Sequence, residues 1–389
     1  MVVSTTDQQG RITVIDALRG FTLLGILIVH THNLWGDFWV LQPASNPIVD
    51  FSDRSFYYLI STFMNGKFGS IFAILFGVSF YIMLCRTEAK GVDFRLQFVW
   101  RMIILIFIGW MHELIYTWEA LITYGLLGIP LILFYKFNKR TILIVAICCL
   151  VINPFYHELK DIFLPQFSLQ TENVVKIEDN NSSDETFETF LTDHKQYSTV
   201  KRMEYFIQHG PFGTFGLFLL GLFLGKVKFF ENTERKKHLY QKIFWISVGI
   251  FCLYGFIRKL SYHPDYKTLF DIFDELFRNY FLTSAIVSGF ILLYFTKVRL
   301  LLDYLVPYGK MGLTNYISQS VFGLFVFAPF FMGLNTQGIT IRLMIALLFY
   351  AAQVFVCTWY LKYFIYGPFE WFWRSATYLQ WVPFRKKTK

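Results

Sequence analysis

Three ionisable residues interrupt the first apolar run of the chain: Asp16, Arg19 and His30, in RITVIDALRGFTLLGILIVHTHNLW at residues 11–35. A carboxylate, a guanidinium and an imidazole are expensive there, at about 2.5–3.5 kcal/mol for Asp or Arg at a bilayer centre. They persist where they face protein or water. On a helix, Arg19 and His30 return to within about 20° of one direction, with a rise of about 16 Å between them, and Asp16 falls within about 40° of that line. His32 points nearly the opposite way. Three ionisable residues aligned on one intramembrane stripe are more than packing requires and point to a functional face. The plainer alternative is an Asp16–Arg19 pair near the headgroups with a hydrogen-bonded interfacial His30.

A second stripe repeats the pattern. Arg101 and His112 are again eleven residues apart, so they share a face. Glu119 lies in the same direction if the helix continues, and Glu113 about 100° away. His112 could hold or accept a proton, with Glu113 or Glu119 orienting it; the alternative is a solvated, idle His/Glu pair. Lys67 lies well inside a long apolar segment containing Asn65, Gly66 and Gly69. That segment predicts a broken or re-entrant helix, whose Lys either binds an anionic group or snorkels to the surface. In YGKMGLTNYISQS, Asn315 and Gln319 are i,i+4 with Ser318 beside them. Interhelical hydrogen bonding explains them; a substrate contact is the alternative.

These residues need membrane helices to position them. The chain has 389 residues, 55% hydrophobic and 20% aromatic. That composition predicts an all-α, polytopic transmembrane helical bundle. Ten helices are expected, at about 13–35, 56–84, 98–117, 119–136, 141–156, 211–228, 242–260, 279–296, 312–333 and 339–363. The apolar stretch 300–308 is too short to span and is expected to lie against the membrane. With the N-terminus in the cytoplasm, 23 of the 36 basic residues fall in cytoplasmic segments, which places both termini inside. Arg19 and Arg101 then sit toward the cytoplasm, His30 and His112 toward the outside. The first apolar stretch is expected to stay as a signal anchor in a multi-pass protein of the cell membrane. The polar loop 157–210 lies outside and separates an N-terminal half, 1–156, from a C-terminal half, 211–389, with a basic tail.

The net charge of +9 is accounted for by this loop asymmetry, so a nucleic-acid partner is not expected; the bilayer is. Cys85, Cys148, Cys149, Cys252 and Cys357 lie in or beside apolar runs without a CxxC and read as packing residues, with no metal site. The tail IYGPFEWFWRSATY, with Glu370 and Arg374 at i,i+4, reads as an interfacial helix. No P-loop, Rossmann fingerprint, GxSxG or HExxH is present.

The segments VIDALRGFTLLGILIVH, GKFGSIFAILFGVSF, RMIILIFIGWMHELIYTWEALITYGLLG, FGLFLLGLFLGK, YGKMGLTNYISQSVFGLF and YGPFEWFWR occur in this order. Together they resemble the YeiB-like family of bacterial membrane proteins (domain of unknown function 418) over nearly the whole chain except 157–210. That family distantly resembles the transmembrane acyltransferases, through an opening Asp, Arg and His like Asp16, Arg19 and His30. The resemblance implies that Arg19 helps place the acyl donor and that His30 accepts the proton. His30 stands where such relatives often carry Asn, and His112 resembles the family's recurrent His. The first reading is therefore a membrane acyltransferase. It would bind no cofactor tightly and use acetyl-CoA or another acyl-CoA as donor to a hydroxyl or amine on an extracytoplasmic glycan or lipid. Candidate catalytic residues are His30, His112 and Glu113; candidate donor or substrate contacts are Asp16, Arg19, Lys67, Arg101, Glu119, Asn315 and Gln319. A small-molecule transporter or channel, and a non-enzymatic sensor or scaffold, are the alternatives. Oligomeric state is left open.

Overall fold

A computed structural model describes residues 12–33, 47–91, 93–116, 120–163, 211–261, 267–328, 330–334 and 337–386. The described chain is helical, without strands; one isolated antiparallel bridge joins Phe364 to Arg385. Seven helical stretches are long and apolar enough to cross a membrane, and two more apolar helical stretches, Ala120–Phe134 and Pro211–Lys226, are shorter. The protein is a helical membrane protein, as its composition requires. Most of loop 157–210, together with Arg11, Trp35 and Glu119, lies outside the described residues.

The chain divides into two compact units, each discontinuous in sequence. The first comprises Met1–Phe72, Lys228–Cys252 and Asn279–Lys389. Its central helix is α1, Thr13–Asn33, and 61% of that candidate span is buried, the highest share among the seven. Helix α2, Pro47–Phe63, is followed by α3, Lys67–Glu88. The expected break falls between them: Gly66 has φ +78°, a left-handed conformation that glycine adopts without steric cost. Helix α2 begins nine residues before the expected 56.

The stretch 300–308 is not one element. It forms two short helices, and the second, Leu305–Lys310, packs on α1. The contact is backbone to backbone: a Cβ on Gly309 would overlap the Asp16 carbonyl, and one on Gly20 would meet the Leu305 carbonyl. Such small-residue contacts let helices approach without a hydrophobic drive in lipid. Gly312–Phe327 and Ile339–Tyr363 complete this packing. The latter matches its expected span, because Gly338 precedes it and Asp53 of α2 caps it. The Asp53 Oδ1 accepts from the Thr340 amide at 2.8 Å and its hydroxyl at 2.6 Å.

The second unit comprises Ala73–Val227 and Leu253–Arg278. Helix α4, Phe94–Glu113, starts at Asp93, whose side chain accepts from the Arg95 amide at 2.9 Å. It ends at Glu113, four residues before the expected 117. The next segment is shorter than expected: α5, Ala120–Gly128, and α6, Leu131–Phe134, flank Pro130, which cannot continue a helix. Helices α7, Lys139–Phe163, and α8, Pro211–Lys226, pack closely at Gly213 and Gly216. Phe76, Tyr124 and Phe218 interlock, with Phe76 stacked on Phe218 at 4.5 Å between centroids. Helix α9, Lys237–Ser261, runs into this unit from residue 253. After α10, Lys267–Phe273, a π-helical segment Asp274–Tyr280 leads into α11, Phe281–Leu293. The expected start at 279 thus falls within a longer helical run from 267. The remaining helices are α12, Arg299–Leu302; α13, Leu305–Lys310; α14, Gly312–Phe327; α15, Ile339–Tyr363; and α16, Pro368–Tyr378.

Candidate functional site

In the first unit, Asp16 is buried and receives the Arg19 guanidinium at 2.8 Å. The same Nη1 reaches the Gly309 carbonyl at 3.5 Å. Gly312, the first residue of α14, leaves room for the Arg19 stem, since a Cβ there would come within 3.3 Å of Cδ. The cation is thus held where α1, α13 and α14 meet. Next to it, the carboxylate of Glu370 on α16 caps α14. Its Oε1 accepts from the Leu313 amide at 2.6 Å and the Thr314 amide at 3.0 Å, and Oε2 from the Thr314 hydroxyl at 2.6 Å. An anion at a helix N-terminus meets unsatisfied donors and the positive dipole end. Burial raises the Glu370 carboxyl above the ordinary range, against the pull of the Thr314 and Leu313 donors. The i,i+4 spacing of Glu370 and Arg374 does not produce an ion pair, because Arg374 lies over the Tyr366 ring at 4.6 Å.

Farther along α14, Asn315 and Gln319 serve the interhelical role their spacing suggested. Asn315 Nδ2 donates to the Tyr308 carbonyl at 2.9 Å, and Gln319 Nε2 to the Tyr308 hydroxyl at 2.8 Å and the Leu23 carbonyl at 3.3 Å. The Tyr308 hydroxyl donates to Gln353 Oε1 at 2.9 Å, and Gln353 Nε2 to the Ser318 hydroxyl at 2.7 Å. The Cys357 thiol reaches Asn315 Oδ1 at 3.3 Å, and the Tyr350 hydroxyl donates to the Gly20 carbonyl at 3.0 Å. Tyr308, Tyr350, Gln353 and Cys357 are parts of this network that sequence spacing did not single out. Gln353 and Cys357 share a face of α15 at i,i+4, which is the one signal that could have found them.

His30, half-buried, presents its ring to Tyr316 edge-on at 6.0 Å between centroids. Lys67 does not snorkel. It is 1% exposed, because it opens α3 directly after the break, with the following Phe68 ring against Gly25 and Phe21 of α1.

In the second unit, His112 and Glu113 are both buried, at 3% and 2% exposure, in the last turn of α4. The amides of Ile115 and Tyr116 donate to the His112 carbonyl at 2.9 and 3.1 Å, and the Tyr116 ring lies 5.7 Å from the imidazole. Arg101 is partly exposed on the same helix. The pair is therefore not solvated. The sequence also gave no weight to a polar cluster around Asp274: Asn153, Tyr254, Arg258, Glu275 and Arg278 converge on the π-helical segment. No three His, Cys, Asp or Glu side chains among the described residues are grouped to hold a metal.

Residues 224–380 match the family described as "Protein of unknown function (DUF418)". Over the whole length, the chain is 28% identical to "Uncharacterized protein YxaH" of Bacillus subtilis (strain 168), with 97% of each chain covered. It is 29% identical to "Uncharacterized 39.9 kDa protein in amylase 3'region" of Bacillus acidopullulyticus, covering 96% of this chain and 95% of that protein. No solved structure matches.

Proposed function

For a helical membrane protein whose residues 224–380 match the DUF418 family, we propose integral-membrane acyl transfer. The acyl group passes from an acetyl-CoA-type donor to a hydroxyl or amine on an extracytoplasmic glycan or lipid. The observation that carries this reading is the burial of His112 beside Glu113. A histidine kept from solvent with a carboxylate neighbour is suited to general-base work. In the first unit, taken by itself, Arg19 is held by Asp16 and the Gly309 carbonyl as a fixed cation of the kind that binds phosphates.

In this scheme the acceptor oxygen or nitrogen attacks the thioester carbonyl while an imidazole takes its proton. The tetrahedral adduct collapses, the carbon–sulfur bond breaks, and the thiolate leaves and is protonated. In the orientation expected from the charge distribution, Arg101 is the donor-side end of α4 and His112 its acceptor-side end. The test is release of CoA from labelled acetyl-CoA by purified protein in nanodiscs, beside His30→Ala and His112→Ala. Release lost in the variants supports the reading; release unchanged in both overturns it.

One observation favours a second reading. Buried Lys67 at the break between α2 and α3 is the type of intramembrane charge and discontinuous helix that lines transport paths. Proton-coupled uptake into liposomes, lost in Lys67→Met and without acyl release, would support transport instead.

A further inference from the structure

Helix α16 of the first unit is amphipathic the wrong way round for a helix in water. Three of its polar residues are turned inward: Glu370 caps α14, and Ser375 and Thr377 are 5% and 6% exposed. Its apolar residues Phe369, Phe372 and Ala376 fall within about 60° of one another, and the three polar residues lie about 90° or more from the middle of that stripe. Phe369 and Phe372 are exposed, and Leu379, just past the helix end, is 80% exposed. A helix facing water carries the opposite pattern.

Two neighbours fix the direction of the stripe. On one side, the Phe369 amide donates to the Thr314 hydroxyl at 3.2 Å, and a Cβ on Gly367 would come within 2.7 Å of that hydroxyl. On the other, the Trp371 ring lies 5.0 Å from Phe384, which packs on Phe364 at 4.8 Å and Tyr360 at 6.5 Å. Thr314 is in the first turn of α14 and Tyr360 in the last turn of α15. Helix α16 therefore lies at the depth where the candidate span Ile339–Tyr363 ends. Midway between Glu370, which meets α14, and Trp371, which meets α15 through Phe384, the helix face is about 180° from the stripe. The stripe points away from both helices.

The segment after α16 folds back on the same end of the protein. Trp381 stacks on Trp371 at 5.1 Å, and Trp371 Nε1 donates to the Val382 carbonyl at 2.9 Å. The Ile365 amide donates to the Phe384 carbonyl at 3.0 Å and the Lys386 amide to the Tyr363 carbonyl at 2.9 Å. This pairing brings Arg385 and Lys386 to the end of α15, where Lys362 stands; all three are exposed. Trp381 remains 78% exposed. From 362 to 386 the one acidic residue is Glu370, and α14 takes up its carboxylate.

We propose that α16 and the segment folded against it form a docking surface for anionic phospholipid in the leaflet where α15 ends. Phe369, Phe372, Leu379 and Trp381 sink into the boundary between headgroups and acyl chains, as the apolar face of an interfacial helix does. Lys362, Arg385 and Lys386 draw negative headgroups to that surface. The attraction is between net charges and asks for no unused hydrogen-bond donor. The charge also argues for lipid over a second copy, which in a two-fold contact through this face would bring its own three cations against these. The proposal does not rest on acyl transfer, and its readout is lipid contact alone.

The test is tryptophan fluorescence of the full-length protein in nanodiscs of phosphatidylcholine and phosphatidylglycerol, with the acyl chains of one lipid or the other brominated as quencher. The emission lost in Trp381→Phe isolates Trp381. That emission is expected to be quenched, and brominated phosphatidylglycerol to quench it about twofold more than brominated phosphatidylcholine at equal content. Arg385→Gln/Lys386→Gln is expected to bring the two lipids to parity with quenching retained. Salt at about 1 M, where the Debye length falls to about 3 Å, is expected to do the same; this arm leaves both cations in place and carries the test if the double variant fails to fold by circular dichroism. Trp381 emission that neither brominated lipid quenches overturns the proposal, and a dimer that Phe372→Asp dissociates would then give the face to a second copy. Equal quenching by the two lipids at low salt also overturns it, since aromatic burial without charge selection would produce that result.

Discussion

Helices α1 and α4 carry the same spacing, an arginine and a histidine eleven residues later, and put it to different physical use. On α1 the charge comes with its counterion: Asp16 lies one turn before Arg19 and holds it at 2.8 Å. On α4 the carboxylate comes at the other end, as Glu113 beside His112, both buried. Of the two candidate spans, 61% of the α1 window is buried inside the protein against 39% of the α4 window. A shared spacing therefore fixes which residues point the same way and leaves their electrostatic roles to the neighbours. In α1 the anchored group is the cation, suited to holding a donor. In α4 the enclosed group is the imidazole of His112, which the proposed acyl transfer would use to take a proton.

The sharpest way to break this contrast is at the histidines. His112→Ala should lower acyl release by about 10²–10⁴-fold, the span of a general base, while His30→Ala lowers it less. Equal losses would erase the distinction between the helices. Next comes the counterion. Asp16→Ala leaves Arg19 without its carboxylate and should destabilise the protein by about 3 kcal/mol, the low end for a broken buried pair because Arg19 keeps some exposure. Chemical unfolding in detergent would detect it, and an unchanged midpoint would show that Asp16 does not stabilise the cation.

A smaller effect separates the packing of the two helices. Gly309→Ala drives a methyl into the Asp16 carbonyl and should cost about 2 kcal/mol, whereas Gly109→Ala on α4 meets mainly Ile122 at 2.9 Å and should cost about 1 kcal/mol. Thermal melts that reverse this order would deny α1 its tighter seat. Smallest, and opposite in sign, is Gly249→Ala on α9, where a Cβ meets nothing within 4 Å. It should raise stability by about 0.5–1 kcal/mol through helix propensity alone.

Much of the fold was legible because each helix in lipid must satisfy its own backbone, so apolar length reports a span directly. Ile339–Tyr363 and the break at Gly66 followed from apolar length and glycine placement. What escaped was local: Leu305–Lys310 packs on α1 because Gly309 and Gly20 permit backbone contact, and glycine positions in one segment do not announce their partner in another. The candidate site was legible in the same partial way. Asn315 and Gln319 read as hydrogen-bonding residues, but Tyr308, 0% exposed, had no signal of its own in the sequence. Its partners come from α14 and α15, eleven and forty-five residues away. The burial of Lys67 was likewise invisible, since a long stem can reach the surface or stay inside with the same sequence around it.

By itself, the sequence determined that the chain is a helical membrane protein, which ionisable residues lie within its apolar runs, and which of them share a helical face. Those properties depend on composition and on the fixed pitch of a helix, and both are local. The tertiary structure decided what each charged side chain meets: Asp16 and the Gly309 carbonyl for Arg19, burial for His112, Glu113 and Lys67, and two guanidiniums around Asp274. It also decided that each compact unit gathers segments far apart in the chain. The energy of a charge in a membrane depends on its surroundings in three dimensions, and those are supplied by residues that sequence distance does not relate.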